Sequence, residues 1–177
     1  MTSPILVLPG IGNSGPDHWQ TLWETGNRFM KRVIASDWNR VTCSEWVRAL
    51  EAAVSVSGSQ AVLVAHSLGC LQVAHWASST SLPIHGALLV AVPDPSCRSF
   101  PAGASGFDPF PLERFAFPSI VVASSNDPYA DIGHARRCAN AWGSRLVEIG
   151  NAGHINASSN LGDWAQGRAL LDELLKA

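Results

Sequence analysis

The chain has 177 residues, of which 46% are hydrophobic and 15% are charged, and its formal net charge is -2. This length and composition predict one folded domain over residues 1–177 and exclude a disordered chain. The small net charge and the lack of a basic block argue against binding to nucleic acid or to an anionic membrane surface.

No apolar stretch approaches the roughly 20 residues that span a bilayer, and no basic segment precedes an apolar run of signal-peptide length. We therefore expect a cytoplasmic protein. The four cysteines match no zinc or redox spacing, which predicts reduced and mostly buried thiols. Histidines and acidic residues do not cluster at metal-ligand spacing either, so we expect neither a metal nor a cofactor. The sequence does not indicate a protein partner.

Short apolar runs alternate with segments of helical length along the chain. The predicted strands are residues 5–8, 32–36, 61–65, 86–92, 119–123 and 146–149. The predicted helices are residues 16–30, 42–58, 68–78, 131–142 and 161–175, the second of which begins at a capping box formed by Thr42 and Glu45. Residues 93–117 are rich in Pro, Gly and Phe and are expected to form an ordered excursion.

This alternation predicts an α/β protein with a doubly wound, mostly parallel six-stranded sheet and helices on both faces. The strands are apolar without alternation, as strands buried on both sides are. In such sheets the functional residues lie beyond the carboxyl ends of the strands. Residues that directly follow a strand are therefore the first candidates for a site.

A serine follows the third predicted strand, in the pentapeptide Ala65-His66-Ser67-Leu68-Gly69. The pattern is G-x-S-x-G with alanine in the first glycine position, and small residues there let a strand and a helix meet closely. The turn would present the Ser67 hydroxyl at the sheet edge, with the amides of the next helix turned toward it. The alternative is an ordinary serine N-cap, and the pentapeptide alone does not decide between them.

A serine nucleophile needs a base, and the base needs a carboxylate to orient it. Asp127 follows the fifth predicted strand and His154 follows the sixth, so the chain order is Ser67, Asp127, His154. This order and placement predict a catalytic triad. Taken singly, Asp127 could be a turn residue and His154 a loop histidine. Asp94, after the fourth strand, is the rival acid.

The loop after the first strand, residues 8–15, is rich in glycine and can turn its amides outward. We expect the amides of Ile11 and Leu68 to form an oxyanion hole. The alternative is a phosphate-binding loop. However, the loop lacks the lysine of a P-loop, and the acid that would bind a ribose is missing.

Four further residues are expected to contact the substrate because they stand at the functional edge. Gly10 lies in the glycine loop, His18 at its junction with the first helix, Trp38 just after the second strand, and His66 beside Ser67. Packing in the core is the alternative for the aromatic ones. Further candidates for a pocket wall are Phe107 and Phe110.

Several segments occur together in this chain: the turn at Ser67, LPGIGNSGPDHWQTLWE at 8–24, the pair Asp37-Trp38, SSNDPY at 124–129 and GHIN at 153–156. Together they resemble the YdeN / retinoblastoma-binding protein 9 family of small serine hydrolases, over residues 7–167. The resemblance implies a compact α/β-hydrolase fold without a large cap, with Ser67, Asp127 and His154 as the triad. The chain departs from the family at Ala65 and at LGDWAQG, residues 161–167, where the family often has a proline–acid pair after the tryptophan.

The expected activity is hydrolysis of small or short-acyl carboxylic esters through an acyl-enzyme intermediate. No insertion other than residues 93–117 is long enough to cover the site, so an open and shallow pocket is expected. An acyltransferase or thioesterase would use the same triad. A non-catalytic protein-binding module that keeps the fold is the remaining alternative.

Overall fold

The computed structural model describes residues 3–177. Its strands are β1 (Ile5–Leu8), β2 (Met30–Arg32), β3 (Val41–Thr42), β4 (Val62–His66), β5 (Gly86–Val90), β6 (Ala104–Ser105), β7 (Ser119–Ala123) and β8 (Arg145–Glu148). Its α-helices are α1 (Trp19–Gly26), α2 (Cys43–Ser57), α3 (Leu68–Ala77), α4 (Ile132–Trp142) and α5 (Ala165–Leu174). No helix within residues 3–177 has the length and apolar character needed to cross a membrane.

Six strands form one sheet in the order β2-β1-β4-β5-β7-β8, and every neighbouring pair is parallel. The chain runs outward from β1 to β2 and then crosses to β4 on the other side of β1. The predicted fold class is confirmed. The reversal of strand order lies between β1 and β4, and open parallel sheets hold their ligands at such a point.

The sheet is covered on both faces, and alternate residues of one strand reach opposite layers. Leu63 of β4 packs with Trp46 and Trp76, which belong to α2 and α3. Val64, the next residue, packs with Trp19 of α1 and with residues of α5. Because β4 is buried on both sides, its side chains are apolar until the strand reaches its carboxyl end.

Several predicted boundaries were wrong. Strand β2 begins and ends earlier than predicted, at Met30–Arg32, because these residues pair with β1. Helix α1 begins at Trp19 rather than at residue 16, because the His18 side chain caps it by accepting a hydrogen bond from the Gln20 amide. Helix α5 begins at Ala165, after a left-handed Trp164, rather than at residue 161.

The capping box predicted at the start of α2 does not form. Thr42 is the N-cap residue, but its side chain makes no capping hydrogen bond. Thr42 also belongs to β3, which pairs with β6 in a second, two-stranded parallel sheet. Strand β6 lies inside the 93–117 segment, so this small sheet joins the excursion to the start of α2.

Gly69 marks the closest approach between helix α3 and strand β1. A Cβ at residue 69 would lie 2.5 Å from the carbonyl oxygen of Leu8 and 2.9 Å from that of Pro9. These are backbone atoms of a buried strand end, so they cannot move aside without displacing β1. A side chain here would push the start of α3 away from the sheet.

We expect Gly69→Ala to lower the free energy of unfolding by about 1–3 kcal/mol, the usual range for overpacking a well-packed site. Gly26→Ala is the matched control, because Gly26 also lies in a helix and a Cβ there meets nothing within 4 Å. Urea denaturation of both variants measures the difference. Equal stabilities of the two variants would contradict the proposed close approach.

Candidate active site

Ser67 occupies a sharp turn between β4 and α3. Its backbone has φ 54° and ψ -124°, a conformation that is costly for a residue with a side chain. Ser67 is the N-cap residue of α3, but its side chain makes no capping hydrogen bond. The hydroxyl instead lies 2.8 Å from Nε2 of His154, so the ordinary N-cap alternative does not describe this serine.

The Ser67 turn fits only because the opposite loop is also small. A Cβ at Gly10 would lie 2.9 Å from the Cβ of Ser67 and 3.3 Å from its Oγ. The Ser67 amide donates to the carbonyl of Val90 at 2.9 Å, and the Ser67 carbonyl accepts from Cys70 at 2.8 Å. Both neighbouring strands therefore fix where the hydroxyl stands.

Ser67, His154 and Asp127 form one hydrogen-bonded series. The Oγ of Ser67 lies 2.8 Å from Nε2 of His154. On the other side of the ring, Nδ1 lies 2.9 and 2.8 Å from the two carboxylate oxygens of Asp127. The side chains of His154 and Asp127 are 9% and 4% exposed. Because a carboxylate only accepts, Nδ1 carries the proton and the Nε2 lone pair faces the serine hydroxyl.

The loops that carry Asp127 and His154 are joined to each other by hydrogen bonds. Oδ1 of Asn126 accepts from the Gly153 amide at 2.8 Å and from the Ser124 hydroxyl at 2.9 Å. The same hydroxyl accepts from the Ala152 amide at 2.9 Å. These bonds hold the carboxylate and the imidazole in a fixed relation. Asn126 was missed by the sequence reasoning, although it precedes Asp127 directly.

Two contacts from the rest of the fold anchor the His154 loop. The indole Nε1 of Trp19 donates to the carbonyl of Ile155 at 2.8 Å. The ring of His66 makes a 2.8 Å hydrogen bond from Nε2 to the backbone carbonyl of His154. Because a carbonyl only accepts, His66 is the donor and carries its proton on Nε2.

Asp94, the rival acid, lies in a different cluster. Its carboxylate accepts from the Ser96 hydroxyl at 2.7 Å and lies 3.4 Å from Nδ1 of His134 and 3.8 Å from Arg137. It therefore orients the start of helix α4 rather than the His154 ring. The structure brings Asp127, and not Asp94, to the imidazole.

The two amides predicted as an oxyanion hole lie beside Ser67. Leu68 is the first residue of α3, and Ile11 follows Gly10 in the glycine loop. Within residues 3–177 neither amide donates a hydrogen bond, whereas the amides of Gly12 and Asn13 are bonded to Trp38 and Gly10 carbonyls at 2.6 and 3.2 Å. Both candidate amides thus lack a hydrogen-bond partner in the described part of the chain; Ile11 lines the cavity at Ser67, whereas Leu68 is 1% exposed and does not line it.

A cavity of about 250 Å³ opens at the Ser67 hydroxyl. Of the predicted residues, Gly10, Ile11, His18, His66, Ser67 and His154 line it. Tyr129 and Asn156 also line it and were not predicted. Tyr129 stands two residues after Asp127, its ring centroid is 4.3 Å from that of His154, and its amide donates to Asp127 at 2.9 Å. Its position in SSNDPY was the available signal.

Three of the predicted aromatic side chains lie elsewhere. The ring of Trp38 packs against Trp46, with centroids 5.8 Å apart. Its contact with the glycine loop is through its backbone carbonyl, which accepts a hydrogen bond from the Gly12 amide. Phe107 is 1% exposed and also packs against Trp46. Phe110 packs against Trp142. These expectations were wrong about the cavity, because Phe107 is buried in the core and the partly buried rings of Trp38 and Phe110 pack against the same core.

Gln20 is a buried polar residue that the sequence reasoning did not single out. Its Nε2 donates to the carbonyls of Leu8 and Val64, at 3.1 and 3.0 Å, and so ties the end of β1 to the middle of β4. Its Oε1 accepts from the hydroxyl of Ser14 at 2.6 Å. Gln20 therefore fixes the glycine loop over the strand-order reversal.

The rings of His18, His66 and His154 lie in a row with their planes inclined to one another, and His18 and His66 are buried. The ring centroids of His18 and His66 are 4.7 Å apart, and those of His66 and His154 are 4.9 Å apart. Burial, the nearby Arg32 and His154 lower the pKa of His18 to about 4. Burial, with smaller effects of His154 and His18, holds the pKa of His66 well below its usual value. Both rings are neutral at pH 7.

No group of three or more His, Cys, Asp or Glu side chains in residues 3–177 is arranged to hold a metal ion. Cys43, Cys70 and Cys138 are buried, and Cys97 is partly buried. Burial raises the pKa of the Cys43 thiol to about 11 and that of Cys138 to about 12.

Because the His18 pKa is lowered on folding, the unfolded chain binds a proton more readily than the folded protein below about pH 6.5. The stability that neutral His18 contributes is therefore present at pH 8 and is lost as the pH falls from about 6.5 toward 4. His18→Asn keeps a side-chain oxygen for the helix cap but removes the titrating ring. Between pH 8 and pH 5 we expect its free energy of unfolding to fall by about 2 kcal/mol less than that of the wild type. Urea denaturation at both pH values measures this difference. Parallel losses in the two proteins would contradict it.

Solved structures that share the fold of this chain include two YdeN-type proteins and an esterase. A protein described as a YdeN-like hydrolase of Pectobacterium atrosepticum is 31% identical, with a TM-score of 0.88 over 99% of this chain and 91% of that one. The ydeN product of B. subtilis is 16% identical, with a TM-score of 0.82 over 99% and 100% of the two chains. A thermophilic esterase of Thermogutta terrifontis is 16% identical, with a TM-score of 0.70 over 99% and 90%.

No curated protein matches the chain. A family model described as serine hydrolase does match it, over residues 5–173. This match covers nearly the whole chain, and the similarity to the Pectobacterium hydrolase extends over the same length. The chain therefore belongs to the serine hydrolase family, and its resemblance to the YdeN-like hydrolases of the α/β-hydrolase fold is confirmed.

Proposed function

We propose that this serine hydrolase cleaves small carboxylic esters, with Ser67 as nucleophile, His154 as base and Asp127 as the orienting carboxylate. The observation that carries the proposal is the unbroken series of hydrogen bonds from the Ser67 hydroxyl through His154 to Asp127. Serine, imidazole and carboxylate in this order are the parts that acyl transfer requires.

The reaction begins when the Ser67 oxygen attacks the ester carbonyl and the hydroxyl proton passes to Nε2 of His154. Asp127 keeps the ring in the tautomer that leaves Nε2 free, and its charge stabilises the imidazolium. His154 then gives the proton to the leaving alkoxide oxygen as the carbon–oxygen bond breaks. A water molecule, deprotonated by His154 in turn, releases the acid from the acyl-enzyme and restores the serine.

The oxyanion formed in each step needs hydrogen-bond donors that are already in place. We assign this role to the amides of Ile11 and Leu68, which have no other partner within the described residues. Leu68 begins α3, so the positive end of that helix also faces the developing charge. Losing one such donor typically costs about 2.7–4 kcal/mol of barrier.

The size of the cavity favours short substrates. Its volume of about 250 Å³ falls below the roughly 300–1,000 Å³ of pockets that enclose drug-sized ligands. Pro101 is the residue of the 93–117 excursion that lines the cavity, whereas the phenylalanines of the excursion pack in the core that α2 and α3 form on one face of the sheet. A long acyl chain would extend beyond the walls into solvent.

Variants of Ser67, Asp127 and Asp94 test the assignment of the nucleophile and of the orienting carboxylate. We expect Ser67→Ala to abolish labelling by a fluorophosphonate and to lower kcat by about 10⁵–10⁶-fold. Asp127→Asn, which offers the imidazole the wrong partner, is expected to lower kcat about 10⁴-fold. Asp94→Asn is the matched control, since Asp94 pairs with His134 instead. Labelling that persists in Ser67→Ala, or equal losses in both aspartate variants, would overturn the assignment.

A series of p-nitrophenyl esters tests the substrate size. We expect kcat/KM to be highest for acetate to butanoate and to fall with each longer acyl chain, because the additional carbons leave the cavity. Initial rates at several ester concentrations, below the solubility limit, provide the comparison. A preference for octanoate or longer esters would show that another surface binds the acyl chain.

A further inference from the structure

The cavity at Ser67 carries an unused hydrogen-bond acceptor, the Nδ1 atom of His66. Its other ring nitrogen, Nε2, donates to the His154 carbonyl at 2.8 Å, so a neutral ring leaves a lone pair on Nδ1. Within residues 3–177 this lone pair has no partner. His18 Nε2 and Trp164 Nε1 also have no partner in the described residues, but those two atoms are fully enclosed, whereas Nδ1 of His66 is not. It therefore opens onto the cavity that the residue lines.

The His66 ring is fixed and close to the reacting atoms. His66 is only 5% exposed, and its ring contacts the rings of His18 and His154. The His66 and His154 centroids are 4.9 Å apart, and Nε2 of His154 lies 2.8 Å from the Ser67 oxygen. The first atoms of a substrate held at Ser67 are therefore within reach of His66.

The cavity lining holds uncharged polar groups rather than ionised acids or bases. Asp, Glu, Lys and Arg are absent from its walls within the described residues, and the other polar groups there are neutral, such as Asn13, Asn156 and Ser158. Burial keeps His66 neutral as well, since its pKa lies well below the usual value. An anionic acyl group would find no counter-charge there, whereas a neutral hydroxyl group would find an acceptor.

We infer that His66 is a specificity residue for short, neutral esters that carry a hydroxyl group next to the scissile carbonyl, such as 2-hydroxyacyl esters. The hydroxyl donates its hydrogen to Nδ1 of His66 while the carbonyl carbon meets Ser67. This inference rests on the proposed function and names its substrate class. An ester with a methyl group in place of the hydroxyl leaves the acceptor without a partner and is bound less well.

Ethyl lactate and ethyl isobutyrate form a matched pair for the test, because they differ only by a hydroxyl in place of a methyl group. Because the 2-hydroxyl also makes the lactate carbonyl intrinsically more reactive, the lactate-to-isobutyrate ratio of kcat/KM is divided by the same ratio for hydroxide-catalysed hydrolysis. For the wild-type protein we expect this corrected ratio to be roughly ten, about the effect of one hydrogen bond in such a site. A corrected ratio near one, with both esters hydrolysed, would overturn the inference and leave the ester hydrolase intact. This comparison needs no variant.

His66→Gln assigns the preference to the acceptor. The glutamine amide nitrogen can replace Nε2 as donor to the His154 carbonyl, but it places no acceptor at the position of Nδ1. We expect the corrected lactate-to-isobutyrate ratio to fall to about one. His85→Gln is the matched control, since His85 also donates from Nε2 to a backbone carbonyl, that of Leu174 at 3.0 Å, away from the cavity. Its ratio should equal that of the wild type.

The remaining outcomes separate the two proposals. A His66→Gln protein that keeps the wild-type ratio would overturn the role of His66. Failure of the wild type both to react with a fluorophosphonate and to hydrolyse either ester would overturn the proposed function, and the specificity inference with it. Circular dichroism of each variant shows whether it has folded before its ratio is read.

Discussion

The close approach of helix α3 to the end of strand β1 is the constraint on which the site depends. Gly69 lets the helix begin within contact of the Leu8 and Pro9 carbonyls, and Gly10 leaves room for the Ser67 side chain. Gln20 joins the end of β1 to Val64 of β4 from the other face. With these contacts in place, Ser67 is held in a backbone conformation that an unrestrained chain would leave.

The parallel sheet brings the remaining residues to the same place. Strands β4, β7 and β8 all end at one edge, so the segments carrying Ser67, Asp127 and His154 meet there although they are far apart in sequence. Local bonds then complete the geometry: Asn126 joins the loops after β7 and β8, and His66 holds the backbone of His154. Sheet topology thus brings the three residues of the hydrogen-bonded series together, and side chains outside the series fix their final positions.

Strand ends and their polar residues were predictable from the sequence because buried parallel strands are apolar runs that stop abruptly. Asp127 could be ranked above Asp94 from its strand position and the family pattern, whereas the pairing of Asp94 with His134 required the structure. Trp38 was misplaced because its proximity to a strand end says nothing about its side-chain direction. The bonds of Gln20 and His66 join segments far apart in sequence, and no local pattern reveals them.

The central claim is that Ser67 attacks a carbonyl whose oxygen is received by the amides of Ile11 and Leu68. A crystal structure of the protein after reaction with a fluorophosphonate tests this most directly. We expect a covalent bond from phosphorus to the Ser67 oxygen and a phosphoryl oxygen about 2.7–3.1 Å from both amide nitrogens. Phosphorus attached to another residue, or a phosphoryl oxygen turned away from both amides, would contradict the account.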